Sequence, residues 1–328
     1  MISGTLFIIF VILVAFVFDF INGFHDAANS IATIVTTEVL TPRQAVLWAA
    51  FFNFIAFLIF KLTVAKTIGD GLIDTSIVEP YLIFAALIGA IFWNLVTWYY
   101  GLPSSSSHAL IGGLAGATLA KAGISALKPL GFVKVFIGIL ISPLAGLLLG
   151  FFLTTVITNF TERQNQQSIQ RTFKSFQLIS AAFLSLTHGG NDAQKTMGII
   201  AILLFSSSWL GDTFYVPFWV VISCHLVISL GTLAGGWRIV HTMGTKITEL
   251  NPLRGCVAET GAAAIIFIAT EYGIPVSTTH TVTGTITGTG ISRGLKQVHL
   301  PILRRIFFSW LFTIPGAGIV AGAVMLLH

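Results

Sequence analysis

The chain has 328 residues, of which 55% are hydrophobic and only 9% are charged, against about 25% charged residues in an ordinary soluble domain. This composition excludes a typical soluble globular protein and indicates a membrane protein. The formal net charge of +5 is attributed to Lys and Arg in cytoplasmic loops, so membrane lipid is the predicted surrounding and no nucleic-acid partner is expected.

Apolar runs of about 17 to 25 residues predict membrane-spanning helices, and about ten such runs follow one another along the chain. They cover residues 5–36, 43–65, 81–101, 105–120, 131–157, 177–206, 215–237, 257–273, 277–292 and 302–327. The first and sixth exceed one crossing and contain polar residues, so we expect broken helices there. The short runs 105–120 and 277–292 are either full crossings or re-entrant helices. The predicted fold class is an all-α integral membrane protein.

The first apolar run is interpreted as a span rather than a cleaved signal peptide, because no Lys/Arg-rich start or small-residue cleavage site accompanies it. Cys224 and Cys256 lie in apolar surroundings and are predicted to be buried thiols. The cysteines therefore favour neither a disulfide framework nor a zinc site, and no residue is assigned as a metal ligand.

The sequence contains an internal repeat. YYGLPSSSSHALIGGLAG (residues 99–116) aligns without a gap with EYGIPVSTTHTVTGTITG (271–288). Upstream, GFHDAANS (23–30) aligns with GGNDAQKT (189–196). Each half then holds about five spans in the same order. Because five is odd, the second half is predicted to be inverted relative to the first, which is the usual plan of secondary transporters.

The alignment divides the chain into a first repeat (1–158), a polar cytoplasmic linker (159–176) and a second repeat (177–328). Basic residues concentrate in cytoplasmic loops. Placing the N-terminus outside gives the larger excess of Lys and Arg in the inner loops. The inner loops would then carry Arg43, Arg163, Arg171, Lys174, Arg238, Lys246, Arg254, Arg293, Lys296, Arg304 and Arg305, against Lys61, Lys66, Lys121, Lys128 and Lys134 outside. Both termini are therefore expected on the outer side.

Asp26 and Asp192 fall at aligned positions inside the two long spans. A carboxylate at that depth is costly and almost always faces a cavity and a partner. The adjacent glycines, Gly23 and the Gly189–Gly190 pair, are expected to let the helices open so that freed carbonyls coordinate a cation. A structural kink with a neutral buried Asp is the alternative.

A second pair of motifs, PSSSSH and PVSTTH, predicts two helix starts rich in hydroxyl groups. Pro followed by Ser or Thr opens a helix, and hydroxyls, free N–H groups and the helix dipole together favour an anion. The hydroxyl residues are Ser105, Ser106, Ser107, Ser277, Thr278 and Thr279. An ordinary N-cap would explain one hydroxyl per motif, and inversion of the repeats would bring the two starts together at mid-membrane.

Other titratable side chains accompany these motifs. His25 and His188 flank the aspartates and could carry protons near neutral pH. Glu259 is a candidate third acidic site. For His108 and His280, at the ends of the hydroxyl motifs, a satisfied core position is favoured and a ligand or proton role stays open.

Lys195 is the one fixed cation within the motifs, and it faces two aspartates. The predicted site is thus net negative before an anion arrives. Binding an anion there needs accompanying cations, which could be Na⁺, H⁺ on the carboxyl groups or histidines, or a divalent metal that enters with the anion. Coupled symport follows, and no cofactor is predicted.

These motifs resemble the signatures of the PiT inorganic phosphate transporter family, particularly its bacterial low-affinity members. The resemblance implies a plasma-membrane importer of inorganic phosphate driven by a cation gradient, built from two inverted repeats and often dimeric. In the bacterial branch it further implies a neutral metal-phosphate complex moving with a proton.

The resemblance also assigns residues. It places the essential acids at Asp26 and Asp192, further functional groups at His188 and Glu259, and the phosphate-facing hydroxyls at Ser105–Ser107 and Ser277–Thr279. An Asn-Asp pair is present as Asn191 and Asp192.

Three positions depart from the family pattern. His25 replaces the Asn of the first Asn-Asp pair, Lys195 replaces a second Asn whose counterpart is Asn29, and Asn53 stands where some relatives have a glutamate. We therefore expect Lys195 to take the place of one bound Na⁺ and to leave H⁺ as the driving ion.

Three rival functions remain open. A sulfate importer of the same family is the nearest. The His25-Asp26 pair is similar to the dyad of metal-dependent phosphohydrolases. A lone dyad is a weak signal, however, and the further His and Asp ligands of such a site are not evident at interpretable spacing. A channel is the third. The expected protein is a transporter and not an enzyme.

Overall fold

The computed structural model describes residues 2–328, and this part of the chain contains helices but no strand. The α-helices are α1 (Ile2–Thr36), α2 (Pro42–Ile55), α3 (Thr63–Gly71), α4 (Pro80–Tyr99), α5 (Ser106–Ala122), α6 (Pro129–Thr161), α7 (Gln166–Ser206), α8 (Phe218–Ala234), α9 (Trp237–His241), α10 (Pro252–Glu271), α11 (Thr278–Ile291) and α12 (Leu300–Met325). Short 3₁₀ segments follow α2 and precede α4, α6 and α12, and a π-helical turn (Thr242–Lys246) follows α9.

Five single helices are long and apolar enough to cross a membrane, namely α1, α4, α6, α10 and α12. Two bent pairs reach the same length and apolarity, α2 with α3 at 79° and α8 with α9 at 64°. Large apolar side chains such as Leu130, Phe160 and Ile319 are exposed on the outside of the bundle, as expected where the surrounding solvent is lipid. The chain is a multi-pass membrane protein.

The expectation of a single span over 43–65 is wrong. The helical stretch that begins with α2 ends at Leu58, and α3 leaves it at 79°. The first backbone N–H groups of α3 are satisfied from another part of the chain, because Gln194 Oε1 accepts hydrogen bonds from Val64 N at 3.0 Å and Ala65 N at 3.2 Å. The distant Gln194 side chain thus caps α3. The segment between α2 and α3 contains no Gly or Pro that would have marked the break in the sequence.

The expectation that the first and sixth spans are broken is also wrong, because α1 and α7 continue without interruption past their aspartates. Their glycines allow close packing instead of unwinding. A Cβ atom on Gly23 would collide with the backbone of Ile228, and one on Gly189 would collide with the backbone of Asn53. The breaks lie in the neighbouring elements, between α2 and α3 and at Gly235, whose φ of 68° favours glycine.

Helices α5 and α11 are short, with 17 and 14 residues, whereas a full crossing needs about 20. Both begin in the protein interior, since Ser104 to Ser107 and Ser277 to Thr279 are buried. For segments 105–120 and 277–292 the alternatives were full crossings and re-entrant helices. The structure favours re-entrant helices, because both helices start inside the bundle. The aligned Gly101 and Gly273 precede them with φ of 62° and 66°, so each chain reversal uses the left-handed region.

The order of elements is the same in both halves, with α1 to α6 followed by α7 to α12. Isolated bridges join Ile73 to Leu127 in the first half and Thr248 to Val298 in the second. Helix α5 packs on α12 and α11 packs on α6, so each short helix is held by the last helix of the other half.

Residues 159–176, expected to form a polar linker, lie mostly in the ends of α6 and α7 and leave 162–165 as the connection. Asn165 Oδ1 caps α7 by accepting from Gln167 N at 2.9 Å. The polar composition of this segment therefore reflects exposed helix ends. The division into 1–158, 159–176 and 177–328 stays a proposal.

Substitution Gly116→Ala should destabilise the protein, because the new Cβ would collide with the backbone of Gly318 where α5 meets α12. Overpacking of this kind costs about 1–3 kcal/mol. Thermal unfolding in detergent should show a lower midpoint than wild type. The matched control is Gly261→Ala in α10, whose Cβ would meet its nearest atom at 3.4 Å. Equal midpoints for the two variants would contradict the packing argument.

Candidate functional site

Most of the predicted site residues come together where α1, α7 and the first turns of α5 and α11 meet. All of them are buried, at no more than 3% relative exposure. Their polar groups lie in the interior of the helical bundle and not on its lipid-facing side. Buried polar groups in such surroundings are stable only when they bind one another or a ligand.

Lys195 on α7 links three segments of the chain. Its Nζ donates to Asp192 Oδ1 at 2.5 Å, to Ser107 Oγ at 2.5 Å and to the carbonyl oxygen of Val276 at 3.0 Å. The ammonium group therefore neutralises Asp192 and lies among oxygen atoms from the starts of both short helices. Oxygen ligands in such an arrangement also suit a small monovalent cation.

Asn29 on α1 occupies the aligned position in the first half and makes the equivalent contact. Its Nδ2 donates to Thr278 Oγ1 at 3.1 Å and to Thr279 Oγ1 at 2.9 Å. Thr278 in turn donates to Asp192 Oδ2 at 3.2 Å. One long helix from each half thus holds the hydroxyl groups of a short helix, with a charged side chain in one case and a neutral one in the other.

Ligand atoms of Asp26, His188 and Asp192 all lie within 4.8 Å of one another. His188 Nδ1 donates to Asn53 Oδ1 at 3.2 Å, and its Nε2 lies 3.3 Å from Asp192 Oδ2. A hydrogen bond from one ring nitrogen fixes the tautomer and leaves the other nitrogen free to accept a cation. Two carboxylates and one imidazole could therefore hold a proton, Na⁺ or a divalent metal ion.

His25 adjoins this cluster from the first half. Its Nδ1 lies 2.7 Å from Asp26 Oδ1, and its Nε2 lies 3.1 Å from Thr97 Oγ1. The neighbouring Ser104 hydroxyl donates to Thr97 Oγ1 at 2.8 Å. Asp26 thus has an ionisable partner within hydrogen-bond distance, in a chain of contacts that reaches the segment before α5.

The hydroxyl motifs separate into two groups. Ser105 Oγ and Ser277 Oγ accept hydrogen bonds from His108 N and His280 N, each at 3.2 Å, so these serines are the ordinary N-caps that the alternative interpretation required. Ser106, Ser107, Thr278 and Thr279 are not needed for capping. Ser106 Oγ has no hydrogen-bond partner, and Lys195 or Asn29 binds the other three.

His108 and His280 pack against each other, with ring centroids 4.5 Å apart in an edge-to-face arrangement. His280 also stacks on Trp310 at 3.8 Å. These histidines join the first turns of α5 and α11 to α12. The expectation of a satisfied core position is wrong in one respect, because His108 Nε2 and both ring nitrogens of His280 are buried without a hydrogen-bond partner among the described residues.

Two predicted residues lie apart from the cluster. Glu259 Oε1 accepts from Thr33 at 2.6 Å and Gln177 at 2.9 Å, and its Oε2 accepts from Ser180 at 2.5 Å. Asn191 faces α10 and donates to Thr270 Oγ1 at 2.8 Å. Glu259 therefore forms a separate acidic site surrounded by neutral donors.

Sequence reasoning missed several polar partners. Thr97, Gln177 and Ser180 give no local signal, because their contacts join distant parts of the chain. Asp19 is different, since an acid within the apolar run LVAFVFDF is visible in the sequence. It is fully buried and accepts a 2.7 Å hydrogen bond from Thr196.

Comparisons with known proteins cover nearly the whole chain. Residues 22–168 and 158–321 each match the profile described as "Phosphate transporter family". A "Probable low-affinity inorganic phosphate transporter" of Rhizobium meliloti (strain 1021) is 58% identical over 310 residues, covering 94% of this chain and 93% of the relative. A protein of the same description from Bacillus subtilis (strain 168) is 43% identical over 309 residues, covering 94% and 92%.

A solved structure described as "The sodium-dependent phosphate transporter" has a TM-score of 0.88 with this chain at 26% sequence identity. The match covers 98% of this chain and 98% of the chain in that structure. The helical arrangement is therefore similar from end to end.

Substitution Lys195→Met should lower stability, because the buried Asp192 would lose its cation. Removing one partner of a buried pair costs about 3–5 kcal/mol. Thermal unfolding in detergent should give a lower midpoint, and adding Asp192→Asn to the same protein should restore part of the loss. A double variant less stable than Lys195→Met alone would contradict the assigned pairing.

Proposed function

The chain belongs to the phosphate transporter family, and we propose that it imports inorganic phosphate across the plasma membrane by symport with a cation. The resemblance found in the motifs is confirmed by the family match and by relatives with up to 58% identity. One observation carries the proposal: two hydroxyl-rich helix starts meet beside Lys195, next to the Asp26, His188 and Asp192 cluster. An anion site and a cation site thus adjoin in one buried region.

Phosphate binding is assigned to the first turns of α5 and α11. A tetrahedral oxyanion accepts hydrogen bonds from hydroxyls and from the free N–H groups at helix starts, where the dipole is also favourable. The proposed binding residues are Ser105, Ser106, Ser107, Ser277, Thr278, Thr279, Asn29 and Lys195. Ser105 and Ser277 act chiefly by shaping the helix starts, since their hydroxyls already cap them.

Cation binding is assigned to the acidic side of the same region. Asp26 and Asp192 outnumber Lys195, and phosphate adds one or two negative charges. Import of the anion therefore requires compensating charge from H⁺, Na⁺ or a divalent metal that travels with phosphate. The proposed coupling residues in this region are Asp26, Asp192, His25 and His188. Asn191 and Glu259, which lie apart from the cluster, complete the proposed set.

Phosphate is favoured over sulfate by the acceptors near the hydroxyls. Near neutral pH phosphate carries at least one hydroxyl group and sulfate none. Asp192 Oδ2 already accepts from Thr278 at the start of α11, so a carboxylate lies where a phosphate hydroxyl could donate. The relatives described above are named for phosphate as well.

The proposal includes the arrangement in the membrane. Both termini lie outside, the second repeat is inverted relative to the first, and the protein forms a homodimer. Its function is transport and not catalysis.

The purified chain in liposomes should accumulate labelled phosphate. Varying Na⁺, H⁺ and Mg²⁺ one at a time should identify the cation on which this uptake depends. Unlabelled phosphate should compete with uptake and equimolar sulfate should not. Asp192→Asn should abolish uptake, because the carboxylate proposed to hold the coupling cation and to accept from the phosphate hydroxyl would be lost. The control is Asp74→Asn, since Asp74 lies outside the membrane helices and caps a 3₁₀ turn by accepting from Ser76 N at 2.9 Å.

Three results would contradict the proposal. Effective competition by sulfate would assign this chain to the sulfate-transporting branch of the family. Entry of labelled phosphate without counterflow, that is, without transient accumulation driven by unlabelled phosphate trapped inside, would indicate a channel. Normal uptake by Asp192→Asn would remove the central residue from the mechanism.

Lys195 is proposed to take the place of a bound Na⁺, because its ammonium group lies among three oxygen atoms. The variant Lys195→Asn, which copies the aligned Asn29, should gain stimulation of phosphate uptake by Na⁺. Wild type should respond to the proton gradient instead. Sodium-dependent, pH-insensitive uptake by wild type would contradict this role of the lysine.

A further inference from the structure

A fully buried carboxyl group, Asp19, lies on α1 outside the proposed coupling set. It precedes Asp26 by seven residues, which places both on the same side of the helix about two turns apart. Asp19 Oδ1 accepts a 2.7 Å hydrogen bond from Thr196 on α7. Its Oδ2 is buried without a partner.

The other buried acids are better compensated. Asp26 has His25, Asp192 has Lys195, and Glu259 accepts three hydrogen bonds. Asp19 has one neutral donor and forms no ion pair with a described Lys, Arg or His. An ionised carboxylate in that position would lack compensation, and isolated buried charge is strongly unfavourable.

Asn22 lies one turn further along α1 and adds a second observation. It is 1% exposed, and its Oδ1 also has no partner. Residues three apart lie on the same helix face, so two unpartnered acceptor oxygens share this face. One proton on Asp19 would turn an acceptor into a donor and could serve both. A metal ion would require more oxygen ligands than these two side chains offer.

We propose that Asp19 is a proton-binding site through which phosphate import is coupled to proton entry. The proposal rests on phosphate transport as the function. Phosphate beside Lys195 would add negative charge close to Asp19 and so favour its proton, and the proton would favour the anion in return. Thr196 joins the two sites, because it binds Asp19 and directly follows Lys195 in α7.

The groups that face Asp19 do not supply the missing positive charge. Cys224 approaches from α8 and Asp192 from α7, and neither is a cation. On α4, which also packs against α1, the buried polar residue nearest mid-helix is the neutral Asn94. Proton binding by the carboxyl group itself is therefore the available compensation.

The second repeat offers a matched control. The alignment places Ser185 opposite Asp19, and its hydroxyl donates to the Ala181 carbonyl oxygen within the helix. Ser185→Ala therefore changes the symmetry-related position without removing an acid.

The test uses the full chain in liposomes with a trapped pH dye and no Na⁺. Labelled phosphate exchange at equal concentrations on both sides measures phosphate movement without a net gradient. A phosphate gradient then measures proton entry per phosphate. Asp19→Asn keeps the shape and an acceptor for Thr196, so we expect exchange close to wild type. Proton entry per phosphate should be almost lost, because the group that carries the proton is gone. Ser185→Ala should match wild type in both measurements.

Asp19→Glu keeps an ionisable group and should retain proton entry, even if Asp19→Asn loses exchange as well. Proton entry at the wild-type ratio in Asp19→Asn would overturn the proposal. So would equal loss of exchange in the Asn and Glu variants, which indicates a structural role. Wild-type exchange without proton entry would reject this inference and leave phosphate transport standing, whereas no wild-type exchange would reject the proposed function itself.

Discussion

The pairing of Lys195 with Asp192 is the interaction on which the interior of this protein depends. It brings a positive charge into a region where Asp26 and Asp192 would otherwise repel each other and any anion. The same ammonium group binds Ser107 and the Val276 carbonyl, so it also fixes the two short helices relative to α7. Charge compensation and the geometry of the hydroxyl groups therefore have one origin.

Close helix packing makes that geometry rigid. Helix α5 rests on α12 and α11 rests on α6, with glycines at the contacts so that backbones touch. Since each short helix belongs to one half and its support to the other, neither half can move its helix start independently. The polar groups that face each other in the centre are thus positioned by contacts far from them.

Much of this arrangement could be predicted from the sequence, because the internal repeat allows each position to be compared with its counterpart in the other half. Glycines 101 and 273, the hydroxyl motifs and the two aspartates all occupy equivalent places, as the alignment required. The prediction of breaks in α1 and α7 was wrong for a physical reason. Glycine permits close packing as readily as unwinding, and the neighbouring segment decides between the two. At Gly189 that neighbour is the backbone of Asn53, which packs against the helix. The break before α3 depends on Gln194, a contact between distant segments that no local pattern contains.

The differences between the halves carry more chemical information than their similarity. Asn29 and Lys195 hold the hydroxyls in equivalent ways, yet one is neutral and the other charged. Asp19 and Ser185 are likewise aligned, yet only Asp19 can exchange a proton. In the proposed function, the duplicated fold supplies two similar helix starts around one anion. Lys195 in the second half and Asp19 in the first make the interior electrically unequal. Under the proposed symport, such an interior would bind a cation at one defined place and release it as the anion leaves.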